Sequence, residues 1–239
     1  MNAPVRLSFD LGGAGGGAAE ADVRALTIAG WAGRDEAALR HHVEELAALG
    51  VPRPSSVPVF YRVAASLLTQ GPAVEVLGPD SSGEAEPVLV AAEDGRLLLS
   101  VGSDHTDRKA EAAGIALSKQ LCPKPVSREA WDFEAVEDHW DALVLRAWAT
   151  IGGERVLYQE GGLSGLRHPR DLLERRGAGQ GLAPGLAPGL APGEAMFCGT
   201  LAAIGGIRPA GRFEAEIADP VLGRRLSLAY DVVALPVVS

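Results

Sequence analysis

The stretch 84–104, EAEPVLVAAEDGRLLLSVGSD, decides how the chain is read. Two apolar runs, EPVLVAA and RLLLSVG, flank Glu93-Asp94-Gly95, which has the composition of a hairpin turn. Short runs of Val and Leu of this kind suit buried strands. Side chains two apart on a strand share a face, so Glu84 and Glu86 point the same way at the entrance to the first run. If the runs pair across the turn, Asp104 at the end of the second comes near the glutamates. Two neighbouring carboxylates repel, and burying them demands a compensating cation. Three carboxylates with little sulfur or imidazole form a donor set for a hard ion, Mg²⁺ or Mn²⁺, with water or substrate oxygens completing the octahedron. The competing reading is an exposed acidic loop, the ordinary place for Asp and Glu. His105 is read as a hydrogen-bonding neighbour.

Outside this stretch, composition sets bounds. The chain has 239 residues, 47% hydrophobic and 22% charged, enough for one large domain or two modest ones. A formal net charge of −9 argues against nucleic acid or an anionic membrane as partner. An anionic substrate must therefore meet a local positive site. Cys122 and Cys198 are too few for a disulfide framework and lack zinc-site spacing, so reduced thiols are expected. The start, MNAPVRLSFDL, has no basic region followed by an apolar one, and no apolar stretch approaches the roughly 20 residues of a membrane helix. The expected location is the cytoplasm.

VRLSFDL reads as a first strand and ALTIAGWAG as another. Between them GGAGGGAAEAD, 12–22, lacks the Lys-Ser/Thr ending of a phosphate loop and reads as a flexible loop. RDEAALRHHVEELAALG predicts a helix: Ala38, Leu39, Val43, Leu46 and Ala47 recur at helical spacing and Gly50 closes it. From about residue 57 short strands dominate. DALVLRAWATIGGERVLYQEG predicts a hairpin on Gly152-Gly153, HPRDLLERR a brief helix, and AMFCGTLAAIGG, RFEAEIAD and SLAYDVVALP further strands. The repeat GLAPGLAPGLAPG, 181–193, reads as a surface loop without function.

On the predicted helix, His41 with Glu44 and His42 with Glu45 are i,i+3 pairs. A carboxylate orients a histidine and raises its basicity, as a general base requires, although such pairs are common on solvated faces. Lys119 lies among apolar residues, where a lysine snorkels to water or serves a site. GGLSGL lacks a glycine two after Ser164, so the serine-hydrolase elbow fails, and neither cysteine has an activating neighbour.

Taken in order from about residue 38 to the C-terminus, the motifs resemble those of the fumarylacetoacetate hydrolase superfamily, metal-dependent enzymes acting on β-diketo acids and related oxo-acids. His42-Val43-Glu44-Glu45-Leu46 resembles the family's lid motif, whose His–Glu dyad activates water. Pro58–Val63 resembles a Pro-Val-x-Phe-x-Lys strand, with Arg62 in place of the lysine. Glu84-Ala85-Glu86 resembles the Glu-x-Glu metal pair, and Asp104 with Arg108 the Asn-Asp-x-x-x-Arg segment supplying the next ligand. Lys119 is similar to the active-site lysine of a Lys-Ser motif that precedes a Cys-Pro, here Cys122-Pro123. Gln159 stands at the glutamine of Asn-Gly-x-x-x-Gln, and Thr200 at the threonine that contacts substrate carboxylate. RFEAEIADPVLG is similar to the closing strand. The sequence departs from the pattern at Ser103 for asparagine, Glu111 for a common glutamine, Leu201 for proline, and in a shorter gap between Glu86 and Asp104.

The resemblance implies an α+β fold: a mixed-β core of several packed sheets over 57–239, after an N-terminal segment, 1–56, carrying the lid helix. It implies a homodimer and a Mg²⁺ or Mn²⁺ site at Glu84, Glu86 and Asp104. An enolate or 1,3-dicarbonyl would chelate that ion through two oxygens. His42, supported by Glu45, would activate water for hydrolysis of a C–C bond, with Lys119 stabilising the oxyanion. Arg62, Arg108, Gln159 and Thr200 are the candidates for gripping the substrate. Decarboxylation or keto-enol isomerisation at the same site is the alternative, as is a non-catalytic ligand-binding protein on the same fold.

Overall fold

The computed structural model describes residues 3–12, 16–37, 39, 44, 54–178 and 189–238. The chain opens with an antiparallel hairpin of β1 (Val5–Asp10) and β2 (Ala18–Val23). Two larger sheets follow, built from β3 (Ala25–Gly30), β4 (Val59–Val63), β5 (Ala73–Leu77), β6 (Ala85–Ala91), β7 (Leu97–Ser103), β8 (Trp131–Asp132), β9 (Val144–Ile151), β10 (Glu154–Gly162), β11 (Glu194–Phe197), β12 (Arg212–Asp219) and β13 (Arg224–Leu235). The six-stranded sheet runs β8-β7-β6-β11-β3-β4 and the five-stranded sheet β10-β9-β12-β13-β5. Both are mixed: β11 runs parallel to β3 and β13 parallel to β5, while the other neighbours are antiparallel. This is the α+β architecture of several packed sheets that the sequence implies. Helical elements near the site are a single turn, α1 (Arg108–Glu111), and α2 (Ile115–Leu121); α3 (Pro169–Gly177) lies further along the chain.

The 84–104 stretch folds as a hairpin closed at Glu93-Asp94-Gly95, with Gly95 at φ 85°. Every residue of β6 is buried because both of its faces are covered. Leu89, with Leu99 and Val101 of β7, joins the larger core, together with Leu145, Phe213, Ile217 and Tyr230 of the second sheet. Val88, Val90 and Leu98 face a second core closed by Leu7, Phe9, Ala21 and Val23 of the N-terminal hairpin. Each such side chain contributes on the order of 1.5–3 kcal/mol of apolar transfer free energy, which makes this hairpin the anchor of the fold.

One expectation is corrected. Ala18–Asp22, read within a flexible loop, belongs to a strand in register with β1 that ends at Val23. Its buried residues alternate, Ala19, Ala21 and Val23, but alanine has little strand propensity and hid the pattern. β3 lies inside the six-stranded sheet, between β11 and β4. The predicted helix appears at Glu36, Ala37, Leu39 and Glu44. His41, His42 and Glu45 lie outside the described residues, as does most of the GLAP repeat. Among the described residues, no helix is long and apolar enough to cross a membrane.

Candidate metal centre

The hairpin register assembles the acidic cluster. Ala85 opposes Ser103 and Glu86 opposes Gly102, and one step further the Asp104 N–H donates to the Glu84 carbonyl at 3.0 Å. Glu84, Glu86 and Asp104 each bring one carboxylate oxygen within 4.8 Å of the others. Glu86 is 2% exposed and Asp104 fully buried. Glu84 and Glu86 border a cavity of about 470 Å³ whose wall also includes Tyr61, Arg108, Glu111, Lys119, Gln159 and Thr200.

Three protein cations surround the acids. Lys119, from the last turn of α2, forms a buried ion pair with Asp104 Oδ2 and lies 3.8 Å from Glu84. Lys124, fully buried on the short strand Lys124–Pro125, stands 3.0 Å from Asp104 Oδ1 and donates to the His105 carbonyl at 2.5 Å. Arg108 reaches Glu84 at 3.1 Å, Glu111 at 2.9 Å and the Ser82 hydroxyl at 2.7 Å. Glu84 and Asp104 thus have cations of their own, and their charges are met without a metal. Glu86 is different. Its Oε2 accepts the Gly199 N–H at 2.7 Å, and burial, then the charge of Asp104, push its carboxyl well above the usual range, against the opposing pull of Lys119.

Burial also pushes Asp104 upward, but Lys119 and Lys124 outweigh it and hold the carboxyl below its ordinary value. Burial would lower the Lys119 ammonium, yet Asp104, Glu84 and Glu86 keep it above its ordinary value and charged. His105 is neutral: burial, then Lys124 and Arg108, bring it down to about 3. Its ring bridges Tyr230 Oη and the Ser81 hydroxyl, each at 2.9 Å. Tyr230 in turn donates to the Ser103 hydroxyl at 2.8 Å, and the Glu84 N–H donates to that same hydroxyl at 3.1 Å. A buried hydrogen-bonded chain thus braces the backbone that carries the carboxylates.

The residues present fit a divalent cation. The donors are hard oxygens, and Asp104 Oδ1, close to Lys124 but out of alignment, has no hydrogen-bond donor among the described residues. Gln159 and Thr200 line the cavity, but their polar atoms are engaged. The Gln159 amide donates to Thr200 Oγ1 at 2.7 Å and accepts the Ala85 N–H at 2.9 Å, while the Thr200 hydroxyl donates to the Ala85 carbonyl at 2.8 Å. Arg62 is not brought to the site. Its guanidinium donates to the carbonyls of Arg24, Leu26 and Val63, because strand alternation turns it away and presents Tyr61 instead. Sequence reading missed Tyr61, whose ring lies 5.8 Å from the Lys119 ammonium, and Lys124. Proline on both sides of Lys124 was the one available hint that this lysine is fixed in place.

Solved structures share this fold at low sequence identity. Cg1458 with inhibitor matches 92% of this chain and 81% of its own, with TM-score 0.62 and 18% identity. A 2-keto-3-deoxy-D-arabinonate dehydratase complexed with magnesium and 2,5-dioxopentanoate matches 90% of this chain and 74% of its own, with TM-score 0.62 and 13% identity. No curated protein matches the sequence. Residues 29–230 match the model of the family described as Protein of unknown function (DUF2848), and the chain belongs to that family.

Proposed function

We propose that this protein is a divalent-metal-dependent enzyme of the fumarylacetoacetate hydrolase superfamily acting on an oxo-acid, and that it hydrolyses a C–C bond of a β-diketo acid. The observation that carries the proposal is the cluster of Glu84, Glu86 and Asp104, the last two buried and the first two lining a cavity together with Lys119. The likeness in fold to a dehydratase complexed with magnesium and 2,5-dioxopentanoate supports the choice of Mg²⁺, or the similar Mn²⁺, and of oxo-acids. A hard cation held by the three carboxylates supplies Lewis-acid stabilisation of negative charge developing on a substrate oxygen.

The chain's own groups have separate tasks. Gly199 N–H fixes Glu86, Lys124 fixes Asp104 and Arg108 fixes Glu84. The Lys119 ammonium donates to the oxyanion or enolate oxygen. Gln159 and Thr200 shape the wall beside Ala85, and Tyr61 covers Lys119. His42, oriented by Glu45, takes a proton from water as it adds to the carbonyl; the C–C bond then breaks and that proton passes to the enolate carbon, releasing a carboxylic acid and a ketone fragment. The enzyme works as a cytoplasmic homodimer.

Decarboxylation or keto-enol isomerisation is the second reading, because Lys119 and the carboxylates serve an enolate whichever bond breaks. Product analysis with acylpyruvates, oxaloacetate and hydroxymuconate-type acids separates them. Acylpyruvate cleavage that disappears in His42→Ala with Mg²⁺ binding intact is the expected result. Turnover confined to oxaloacetate or to the muconate acids selects the second reading.

A further inference from the structure

The cavity wall divides by chemistry. On one side stand the carboxylates, Lys119 and Arg108; much of the remainder is Leu39, Ile115, Leu201, Ala203 and Ile207. Among the described residues, Arg108 and Lys119 are the cations lining it, and each already faces a carboxylate. Lys119 is paired with Asp104. Arg108 gives Nε to Ser82 and Nη1 to Glu111, while Nη2 lies 3.1 Å from Glu84 without an aligned acceptor among the described residues. Glu111 itself lines the cavity, three residues beyond Arg108 on α1, so a second anion entering there meets a carboxylate already in possession of the guanidinium.

Building on the oxo-acid reading above, we propose that the site selects a monocarboxylic oxo-acid with an apolar far end, and that Glu111 is the specificity-determining residue. The substrate's α-oxo-carboxylate end lies at the acidic triad with Lys119, and its tail lies along Leu201, Ala203 and Ile207. A carboxylate on the tail loses its water against that wall or must displace Glu111 from Arg108, and either route weakens binding by about tenfold or more. Replacing Glu111 by glutamine removes the competing charge and keeps the side chain's size, which frees Arg108 for a substrate carboxylate.

Calorimetric titration of the Mg²⁺-loaded full chain with oxalate, 2-oxohexanoate and 2-oxoadipate tests this, since the last two differ by a methyl against a carboxylate at the end of equal chains. In the wild type, 2-oxohexanoate is expected to bind at least about tenfold tighter than 2-oxoadipate. In Glu111→Gln the ratio falls several-fold by a gain for 2-oxoadipate, with oxalate affinity unchanged. Equal or tighter 2-oxoadipate binding in the wild type overturns the proposal, as does an unchanged ratio or a loss of oxalate binding in the variant. If oxalate does not bind the wild type at all, the oxo-acid reading itself falls and this inference falls with it; oxalate binding without a tail preference overturns the inference alone.

Discussion

Glycine at position 199 ties the backbone to the chemistry. Its φ is 96°, a conformation that costs a residue with a Cβ about 1–3 kcal/mol, and an added Cβ would meet the Ala32 Cβ at 2.6 Å. The same residue gives its N–H to Glu86. Gly199→Ala is therefore expected to lower stability by about 1–3 kcal/mol in chemical denaturation and to weaken Mg²⁺ affinity as well. A variant with wild-type midpoint and affinity would show that the turn is not constrained as described. At this scale the sequence was informative where spacing alone sufficed. Glu84, Glu86 and Asp104 could be placed together because strand period and one turn fix them. Lys124 and Tyr61 could not, since their positions depend on a parallel two-residue pairing of Lys124 with Leu68 and on which face of β4 turns inward. Arg62 became a candidate through its place in the Pro-Val-x-Phe-x-Lys resemblance, and its guanidinium turns to backbone carbonyls.

Among the elements, β6 and β7 were legible because Val and Leu runs with a Glu-Asp-Gly turn leave few alternatives. The seven residues of α2 were not, being too short to show a period. The turn from β12 to β13 is another case where a polar group organises backbone. Asp219, with a fully buried side chain, accepts the Val221 and Leu222 N–H groups at 3.0 and 3.1 Å and contacts His139 and Arg224 at 3.2 Å. Burial pushes its carboxyl up, but the Leu222 N–H, His139 and Arg224 outweigh burial and hold it below the ordinary range. Because the folded value lies below the unfolded one, the stabilisation is full above the ordinary carboxylate range and is lost as pH falls through the depressed value. Asp219→Asn is expected to cost about 1–3 kcal/mol at neutral pH and to flatten the loss of stability on acidification. Parallel pH–stability curves for the two proteins would remove Asp219 from that account.

At the scale of the whole molecule, two sheets with a core on each side of the 84–104 hairpin hold Glu86 and Asp104 out of solvent. The parallel pairings of β11 with β3 and β13 with β5 join segments far apart in sequence, and no local pattern announces them. The α+β class was implied by the resemblance of the ordered motifs, while the sheet order was not readable. The consequence of this architecture is a preformed cation site, and titration of Mg²⁺ into the protein with calorimetric detection tests it most directly. One ion per wild-type chain is expected, with none bound by a Glu86→Gln variant that still melts cooperatively. A wild type that takes up no ion, or a Glu86→Gln variant that binds as tightly as its parent, would contradict the account.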